Sequence, residues 1–379
     1  MTSPAVGIGV IGAGNISMTY MRNAALFRGV RLVACADLSL EAAARRAAEH
    51  GVRAMSVDAL LADSEVDLVL NLTIPSAHVA VTEAALSAGK HVFTEKPLAT
   101  TAADGRRLVA AARARGLALG SAPDTFLGAA GRQARRLIDA GAIGRLVTGT
   151  AFMFGRGMEH WHPNPQFYYQ PGGGPLFDMG PYYLTMLVNL LGPVARVQAY
   201  ATRGQDERLI TAPGPFEGTA FPVGTPTTIL SLLEFASGPV VSFGTSWDVH
   251  RHSLPPAELH GTEGSLRLPD PDTFGGMVAL SFNGAEWREH DCALELFGAP
   301  NWPFDAPDRA NYRMLGAADL VQGLHEGRAP RASGDLALHV LEVMEAIMTA
   351  AGSGAAVPVQ GGVIRPPLLA EEEARGLLS

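Results

Sequence analysis

The sequence predicts two halves, an α/β half built on a doubly wound parallel sheet and then an α+β half dominated by a large, mostly antiparallel sheet. Three observations carry that prediction. Strand-like and helix-like runs alternate up to about Asp124, the pattern of a parallel sheet with helices on both faces. Beyond Thr125 the runs become β-type and are separated by Gly/Pro-rich turns. With 379 residues, 47% apolar and 17% charged, the chain can bury the cores of two or three domains. We expect domains over residues 1–124 and 125–379.

Each element has its own signal. Gly7–Ile11 reads as a buried strand, Asn15–Phe27 as a helix and Arg31–Ala36 as a second strand ending on Asp37. Glu41–Glu49, Ala77–Ala88 and Thr101–Arg115 have helical composition, while Val66–Asn71, His91–Thr94 and Leu117–Gly120 read as further strands. In the second half a helix is expected over Arg132–Ala140. Strands follow at Leu146–Phe154, Val194–Thr202, Thr227–Phe235, Pro239–Trp247 and Met277–Phe282. Pro181 suits the first position of a helix running to Leu191 and stopped by Gly192. A late helix over Ser333–Ala350 carries Leu336, Val340, Val343 and Ile347 at helical spacing, and the tail beyond Gly361 should pack across the surface.

Composition excludes several classes. Twenty-nine basic against 37 acidic side chains give a net charge of −8, which argues against nucleic acid or an anionic membrane as partner. No apolar run reaches the ~20 residues of a membrane span, and the start lacks a charged leader, so no secretion signal is expected. Two cysteines, Cys35 and Cys292, exclude a disulfide scaffold or a Cys-based zinc site and suit a reducing cytoplasm. His160-x-His162 and His250-x-His252 lack a third ligand at sensible spacing, so no metal site is expected.

The first strand runs into Gly12-Ala-Gly-Asn-Ile-Ser17. Gly12 permits a tight turn, and Gly14 lets backbone N–H groups approach a pyrophosphate at a helix N-terminus. Asp37 stands at the tip of the second strand, where a carboxylate binds both ribose hydroxyls of NAD and repels the 2′-phosphate of NADP. The candidate cofactor contacts are Gly12, Gly14, Asn15, Ile16 and Asp37, with Asn71, Thr73, Pro75, His78, Glu95 and Lys96 at or just after later strand ends. Lysine occurs only at Lys90 and Lys96, although arginine is abundant. A lysine that survives such a bias is a candidate for a role arginine cannot fill, and Pro97 keeps Lys96 out of the helical region.

Gly172-Gly-Gly-Pro-Leu-Phe-Asp178-Met-Gly-Pro-Tyr182 introduces a second group. Tyr182 would fall in the first helical turn, where the dipole lowers its pKa, with Asp178 just outside the helix. Tyr182, Thr185 and Asn189 share one helical stripe, which reads as a cleft wall. The loop ahead of this motif holds Arg156, His160, Trp161, His162, Asn164 and Tyr168, groups suited to stacking on a sugar and binding its hydroxyls. His339, on the late helix, is a further candidate.

The glycine turn, Glu95-Lys96-Pro97 and the Asp178–Tyr182 motif, in this order, resemble the glucose–fructose oxidoreductase, inositol dehydrogenase and MocA family over nearly the whole chain. The resemblance implies an N-terminal Rossmann domain followed by an open-sheet domain that makes homodimers or homotetramers. It implies an NAD(P)-dependent dehydrogenase acting on a hydroxyl of a sugar, sugar derivative or cyclitol. The position matching Lys96 contacts substrate and nicotinamide ribose, and that matching Asp178 orients the sugar. Tyr182 stands where many members carry a histidine base; some relatives use tyrosine there. Thr185, where histidine-type members often have Asp, departs from the inositol dehydrogenase pattern. Tyr182 or Lys96 is then the proton acceptor, and sequence does not separate them. The alternatives are a redox-neutral NAD-dependent glycosidase and a non-catalytic dinucleotide-binding regulator.

Overall fold

The computed structural model describes residues 5–379. Its first sheet contains β1 (Val6–Ile11), β2 (Val30–Ala36), β3 (Arg53–Met55), β4 (Leu68–Asn71), β5 (His91–Thr94) and β6 (Leu119–Ser121). The strand order is β3-β2-β1-β4-β5-β6, with every pair parallel. Strands β1 and β4 are buried throughout, as expected of parallel strands covered on both faces. The connections are α1 (Asn15–Asn23), α2 (Leu40–His50), α3 (Val57–Ala62), α4 (Pro75–Ser87) and α5 (Ala102–Ala114). Side chains set three of the starts: Ser39, Ser56 and Thr101 each accept a backbone N–H three residues on. The order reverses between β1 and β4, so a crevice opens at their C-terminal ends.

The second half begins with α6 (Ala129–Asp139), β7 (Leu146–Phe154), α7 (Pro175–Leu191) and β8 (Val194–Thr202). A small hairpin of β9 (Glu207–Leu209) and β10 (Ala220–Pro222) precedes β11 (Thr228–Phe235), β12 (Val240–Ser246), β13 (Ala257–Gly261), β14 (Gly264–Leu268), β15 (Met277–Phe282) and β16 (Arg288–Asp291). The chain ends with α8 (Leu315–Glu326), α9 (Gly334–Ser353), β17 (Val357–Pro358) and α10 (Glu371–Gly376). The large sheet runs β16-β15-β14-β13-β7-β12-β11-β8-β17 and is antiparallel apart from the β7–β12 pair. On β11, Ile229, Ser231, Leu233 and Phe235 are buried, while Leu230 and Leu232 alternate outward. The inner face packs on α7 and α9; the outer face exposes Tyr200, Leu230 and Leu232. Among the described residues α9 alone has the length and composition to cross a membrane, and half of it is buried in this fold.

The two sheets are not joined by a simple linker. Helices α8 and α9 return to the first sheet, with Ser333 bridging Gly120 on β6. Residues 365–379 form a strap across the molecule. Arg132 donates to the Leu369 carbonyl and pairs with Glu371, and Arg135 donates to the Pro366 carbonyl. Arg331 donates to the carbonyls of Pro367 and Leu368 and pairs with Glu373. The last residues reach the edge of the first half, where Leu378 bridges Phe27 and the Ser379 N–H donates to Leu26.

Three sequence expectations need correcting. Helix α1 ends at Asn23 and a short 3-10 turn, Ala24–Leu26, completes the stretch. Helix α4 starts at Pro75, which is its first residue rather than a strand end. Helix α7 starts at Pro175, six residues before Pro181, which lies inside it. Two prolines competed for the first position, and the earlier one, after Gly174, takes it.

Candidate functional site

The crevice is built from the turn after β1. Gly12 has φ +107°, and a Cβ there would lie 2.6 Å from the Leu72 carbonyl, so only glycine fits. Gly14 is different: a Cβ on it would meet nothing within 4 Å, and no side chain caps the N-terminus of α1 that it begins. Exposed Asn15 and half-buried Ile16 form the first helical turn. Ser17, where a third glycine often stands, is buried and donates to the Gly14 carbonyl at 2.6 Å. Asp37 closes the turn, its Oδ2 accepting from Ala13 N–H at 2.8 Å and its Oδ1 from Ser39 N–H at 2.9 Å. An uncapped helix N-terminus, open space above Gly14 and a carboxylate at the tip of β2 fit a dinucleotide.

The later strand ends divide into surface and scaffold. Thr73 is half-buried and Pro75 exposed at the mouth. Asn71 is fully buried, donates to the His78 carbonyl and Thr82 hydroxyl, and accepts from Thr73. His78 is also fully buried. Its ring nitrogens lie 2.7 Å from the Pro97 carbonyl and 3.0 Å from that of Thr73, stapling the turn after β4 to the loop after β5. Both hold the crevice's shape from below. Glu95 accepts from the buried Tyr20 hydroxyl at 2.9 Å and from Lys96 N–H at 2.9 Å.

Lys96 points from the first sheet into α7. Its Nζ donates to the Asp178 carbonyl at 2.6 Å and to Asp178 Oδ1 at 3.0 Å, and lies 5.2 Å from the centre of the Tyr182 ring. Burial works against this charge, but Asp178, Tyr182 and Glu95 outweigh it and hold the ammonium well above its ordinary pKa. Lys90, the other lysine, donates to the carbonyls of Asp63 and Val66 and braces a loop. Asp178 lies in the first turn of α7, so the helix dipole favours its carboxylate. Tyr182 lies one turn further in, beyond the dipole's reach. Burial pushes its hydroxyl well up; Lys96 and Arg313 pull it down, and Asp272 and Glu95 push it further up. The expected dipole effect on Tyr182 is therefore replaced by a balance of burial and neighbouring charge.

The polar stripe on α7 is not a single cleft wall. Thr185 is buried in a recess with Lys96, Pro97 and Pro181. Asn189 is turned away, accepting from Arg135 at 3.0 Å. His339 is buried at the other side, where its Nε2 accepts from Val194 N–H at 3.0 Å and burial lowers its pKa to about 4. It belongs to the core and not to the cleft.

In the loop after β7, Tyr168 comes close enough to Asp178 and Lys96 for both charges to act on its hydroxyl. Phe167 stacks on Tyr168 with centroids 4.1 Å apart, and His162 meets Trp161, Phe167 and Tyr168 edge-on at about 5.5 Å. Trp161 is exposed, and His162 Nδ1 accepts from Asn164 N–H. Exposed His160 closes a short turn, and Arg156 lines a second cleft with Glu159, Arg208, Trp247, Asp248 and His250. His252 Nε2 lies 3.0 Å from the Phe154 carbonyl. Among the described residues the ligand-type side chains that do converge are His290, Cys292 and Glu295. Glu295 already binds His290 and Arg136 through its two oxygens, so that cluster is satisfied internally.

Comparisons with known proteins agree with this geometry. Residues 6–122 match the family model described as an oxidoreductase family with an NAD-binding Rossmann fold, and residues 132–267 match the GFO/IDH/MocA C-terminal domain. A dTDP-3,4-didehydro-2,6-dideoxy-alpha-D-glucose 3-reductase from Streptomyces violaceoruber is 35% identical over 272 residues, covering 70% of this chain and 73% of that protein. The chain belongs to the Gfo/Idh/MocA oxidoreductase family. The 1,5-anhydro-D-fructose reductase of Ensifer adhaerens is 26% identical over 94% of this chain and 99% of its own. A levoglucosan dehydrogenase in complex with NADH shares the fold at a TM-score of 0.79, with 22% identity over 95% of this chain and all of its own.

This Gfo/Idh/MocA protein is thus an NAD-binding oxidoreductase. Sequence reading missed one side chain at its centre. Arg313, from the loop before α8, donates to the Tyr182 hydroxyl at 3.2 Å and to Asp272 Oδ1 at 2.6 Å. No short motif announces it, because its partners lie 131 and 41 residues away. Exposed Leu38 and Ile74 flank the two sides of the cofactor crevice and were also passed over. Large apolar side chains left in water directly after β2 and β4 are the signal that would have found them.

Proposed function

We propose that the protein transfers a hydride between NAD and a hydroxyl-bearing carbon of a sugar, sugar derivative or cyclitol. The observation that carries this is the pairing of Lys96 with Asp178 beside the Tyr182 ring, at the C-terminal edge of the first sheet. In this reading residues 1–124 form the cofactor domain and 125–379 the substrate domain. Gly12, Gly14, Asn15, Ile16 and Asp37 hold the dinucleotide, which when bound supplies the hydride acceptor or donor. Asp37, with Leu38 and Ser39 after it and no adjacent arginine, favours NAD over NADP.

The chain's own groups handle the proton. Among the described residues the Tyr182 hydroxyl accepts a hydrogen bond from Arg313 but has no acceptor for its own proton. Lys96 spends two of its three N–H donors on Asp178. One N–H and one O–H are therefore left for a substrate oxygen. In reduction Tyr182 gives its O–H proton to the substrate oxygen; in oxidation its phenolate, formed once that proton has passed to solvent, takes the substrate hydroxyl proton. Lys96, kept charged by Asp178, stabilises the alkoxide and is a poor base for the same reason. Asp178 Oδ2, without a partner among the described residues, accepts a neighbouring hydroxyl, and Tyr168 with the aromatic loop packs on the ring.

The exposed apolar face around Tyr200, Leu230 and Leu232 suits self-association into a homodimer or homotetramer. Leu232→Glu should then lower the mass seen by sedimentation. Two buried, unpaired cysteines, Cys35 and Cys292, suit a reducing cytoplasm. The deciding experiment is NADH absorbance with purified protein, NAD or NADP, and a panel of aldoses, cyclitols, anhydrosugars and glycosides. Steady turnover supports the dehydrogenase. Glycoside cleavage without net NADH would replace it with a redox-neutral glycosidase, and tight cofactor binding without turnover with a regulator.

A further inference from the structure

We propose that Arg313 is the positioning residue for the Tyr182 hydroxyl, and that Asp272 and the loop ahead of α8 hold its guanidinium there. The inference rests on the acid–base role given above to Tyr182. Arg313 Nη2 lies 3.2 Å from the Tyr182 oxygen and 2.6 Å from Asp272 Oδ1, while Nη1 lies 3.1 Å from Asn311 Oδ1. A guanidinium donates hydrogen bonds and accepts none. It therefore occupies a lone pair of the phenol oxygen and leaves the O–H free to turn toward the substrate. Because arginine keeps its charge at every accessible pH, this orientation persists through the cycle, whichever proton state Tyr182 adopts.

The backbone around Arg313 is a second, independent observation. Met314, fully buried, has φ +109°, a region that a residue with a Cβ rarely enters. Two clamps hold it there. Asp124 Oδ2 accepts from the N–H groups of Met314 and Gly316, and Asn23 Nδ2 donates to the carbonyls of Asn311 and Arg313. Asn23 ends α1, whose N-terminus is the cofactor turn, and Asp124 lies just after β6. The strained residue thus fixes Arg313 to the cofactor side of the cleft, while Tyr182 comes from α7 on the other side. Neutralising Asp272 does not require this arrangement, since its side chain is 35% exposed and water can solvate it.

The charged groups facing Tyr182 are Lys96 and Glu95 from the loop after β5, with Arg313 and Asp272 from the later loops. Arg313→Gln removes one of the two cations. The expected result is a fall in kcat of about 10- to 100-fold, the loss of one charge-assisted hydrogen bond, with KM within about threefold. The limb of the kcat–pH profile that belongs to Tyr182 should move alkaline by about one pH unit. Arg313→Lys should recover most of the rate, and Asp272→Asn should fall between.

Melting temperature and NADH affinity, measured on each variant, separate positioning from loss of fold. An unmoved pH limb in folded Arg313→Gln overturns the proposal, and a rise in KM with kcat intact makes Arg313 a substrate ligand instead. Should the glutamine variant fail to fold, Arg313→Met, which also removes the cation, carries the same pH readout. Should the wild type turn over no sugar, the proposed function fails separately. The inference is then read from the 13Cζ resonance of Tyr182, assigned by its loss in Tyr182→Phe. A resonance displaced by Arg313→Gln or Asp272→Asn supports the contact, and one that stays in place overturns it.

Discussion

Replacing Lys96 by Met tests the proposed site most directly. Methionine keeps the length and apolar stem of the side chain but removes the charge and both hydrogen bonds to Asp178. Two costs follow, of different size. An alkoxide about 4 Å from a cation at an effective dielectric of 20 gains about 4 kcal/mol, so losing Lys96 should slow turnover about 1,000-fold. The cost to the fold is smaller. The Lys96 and Asp178 side chains are 16% and 21% exposed, so water still reaches Asp178 once its partner is gone, and about 1–3 kcal/mol is expected. In a chain of this size that lowers the melting temperature by a few degrees. The assay is NADH formation at saturating substrate, beside a thermal melt and an NADH titration. A variant that melts as expected yet keeps kcat within about tenfold of wild type would confine Lys96 to a structural tie and refute its role with the alkoxide.

Further outcomes follow from the same geometry. Tyr182→Phe should lower kcat by about 100-fold or more, by removal of the proton-transfer group, and should leave NADH affinity unchanged. Gly14→Ala should leave the melting temperature unchanged, since its Cβ meets nothing within 4 Å, but weaken NADH binding about tenfold or more by filling the approach to the helix terminus. Gly12→Ala should instead lower the yield of folded protein, because its Cβ would strike the Leu72 carbonyl. Asp124 gives a pH test. Burial pushes its carboxyl from the ordinary 3.8 up to about 6, against the pull of the Gly316 N–H and Arg313 and with the push of Glu95. The folded state therefore binds that proton more tightly than the unfolded chain. This stabilisation is complete below pH 3.8 and is lost as the pH rises through about 6. Asp124→Asn should thus be more stable than wild type at pH 7, by up to about 3 kcal/mol, with the gap closing toward pH 4. A gap that is constant from pH 4 to pH 7 in urea melts would contradict the assignment.

The first sheet was legible because its strands and helices are punctuated by residues with one local meaning: Gly12 in the turn, Asp37 at the strand tip, Gly89 after α4. What escaped was short or non-local. β3 and α3 span three and six residues, too few for a period to show. The β13–β14 hairpin was hidden by the Pro-rich stretch ahead of it. α8 was missed because its helical run, Leu315–Glu326, has no side-chain cap and starts at the strained Met314. At the site, Lys96, Asp178 and Tyr182 announced themselves through scarce residue types and fixed spacing. Arg313 could not, being one of 27 arginines, and only the folded chain shows which of them lies beside the tyrosine. His339 shows the opposite error, for a histidine between apolar neighbours on a long helix was core all along.

The strap formed by residues 365–379 bears on the timing of synthesis. Three arginines buried in the second half, Arg132, Arg135 and Arg331, find acceptors on Pro366, Pro367, Leu368, Leu369, Glu371 and Glu373. Those residues come later in the chain than every element they brace. Until they are synthesised, the guanidinium groups lack part of their partner set, and closing the core around them carries a desolvation cost. The first sheet can form while translation continues, but the second half reaches its final packing only once residues 365–379 are in place. A nascent chain that stops before residue 365 would then hold a finished cofactor crevice facing an unfinished wall.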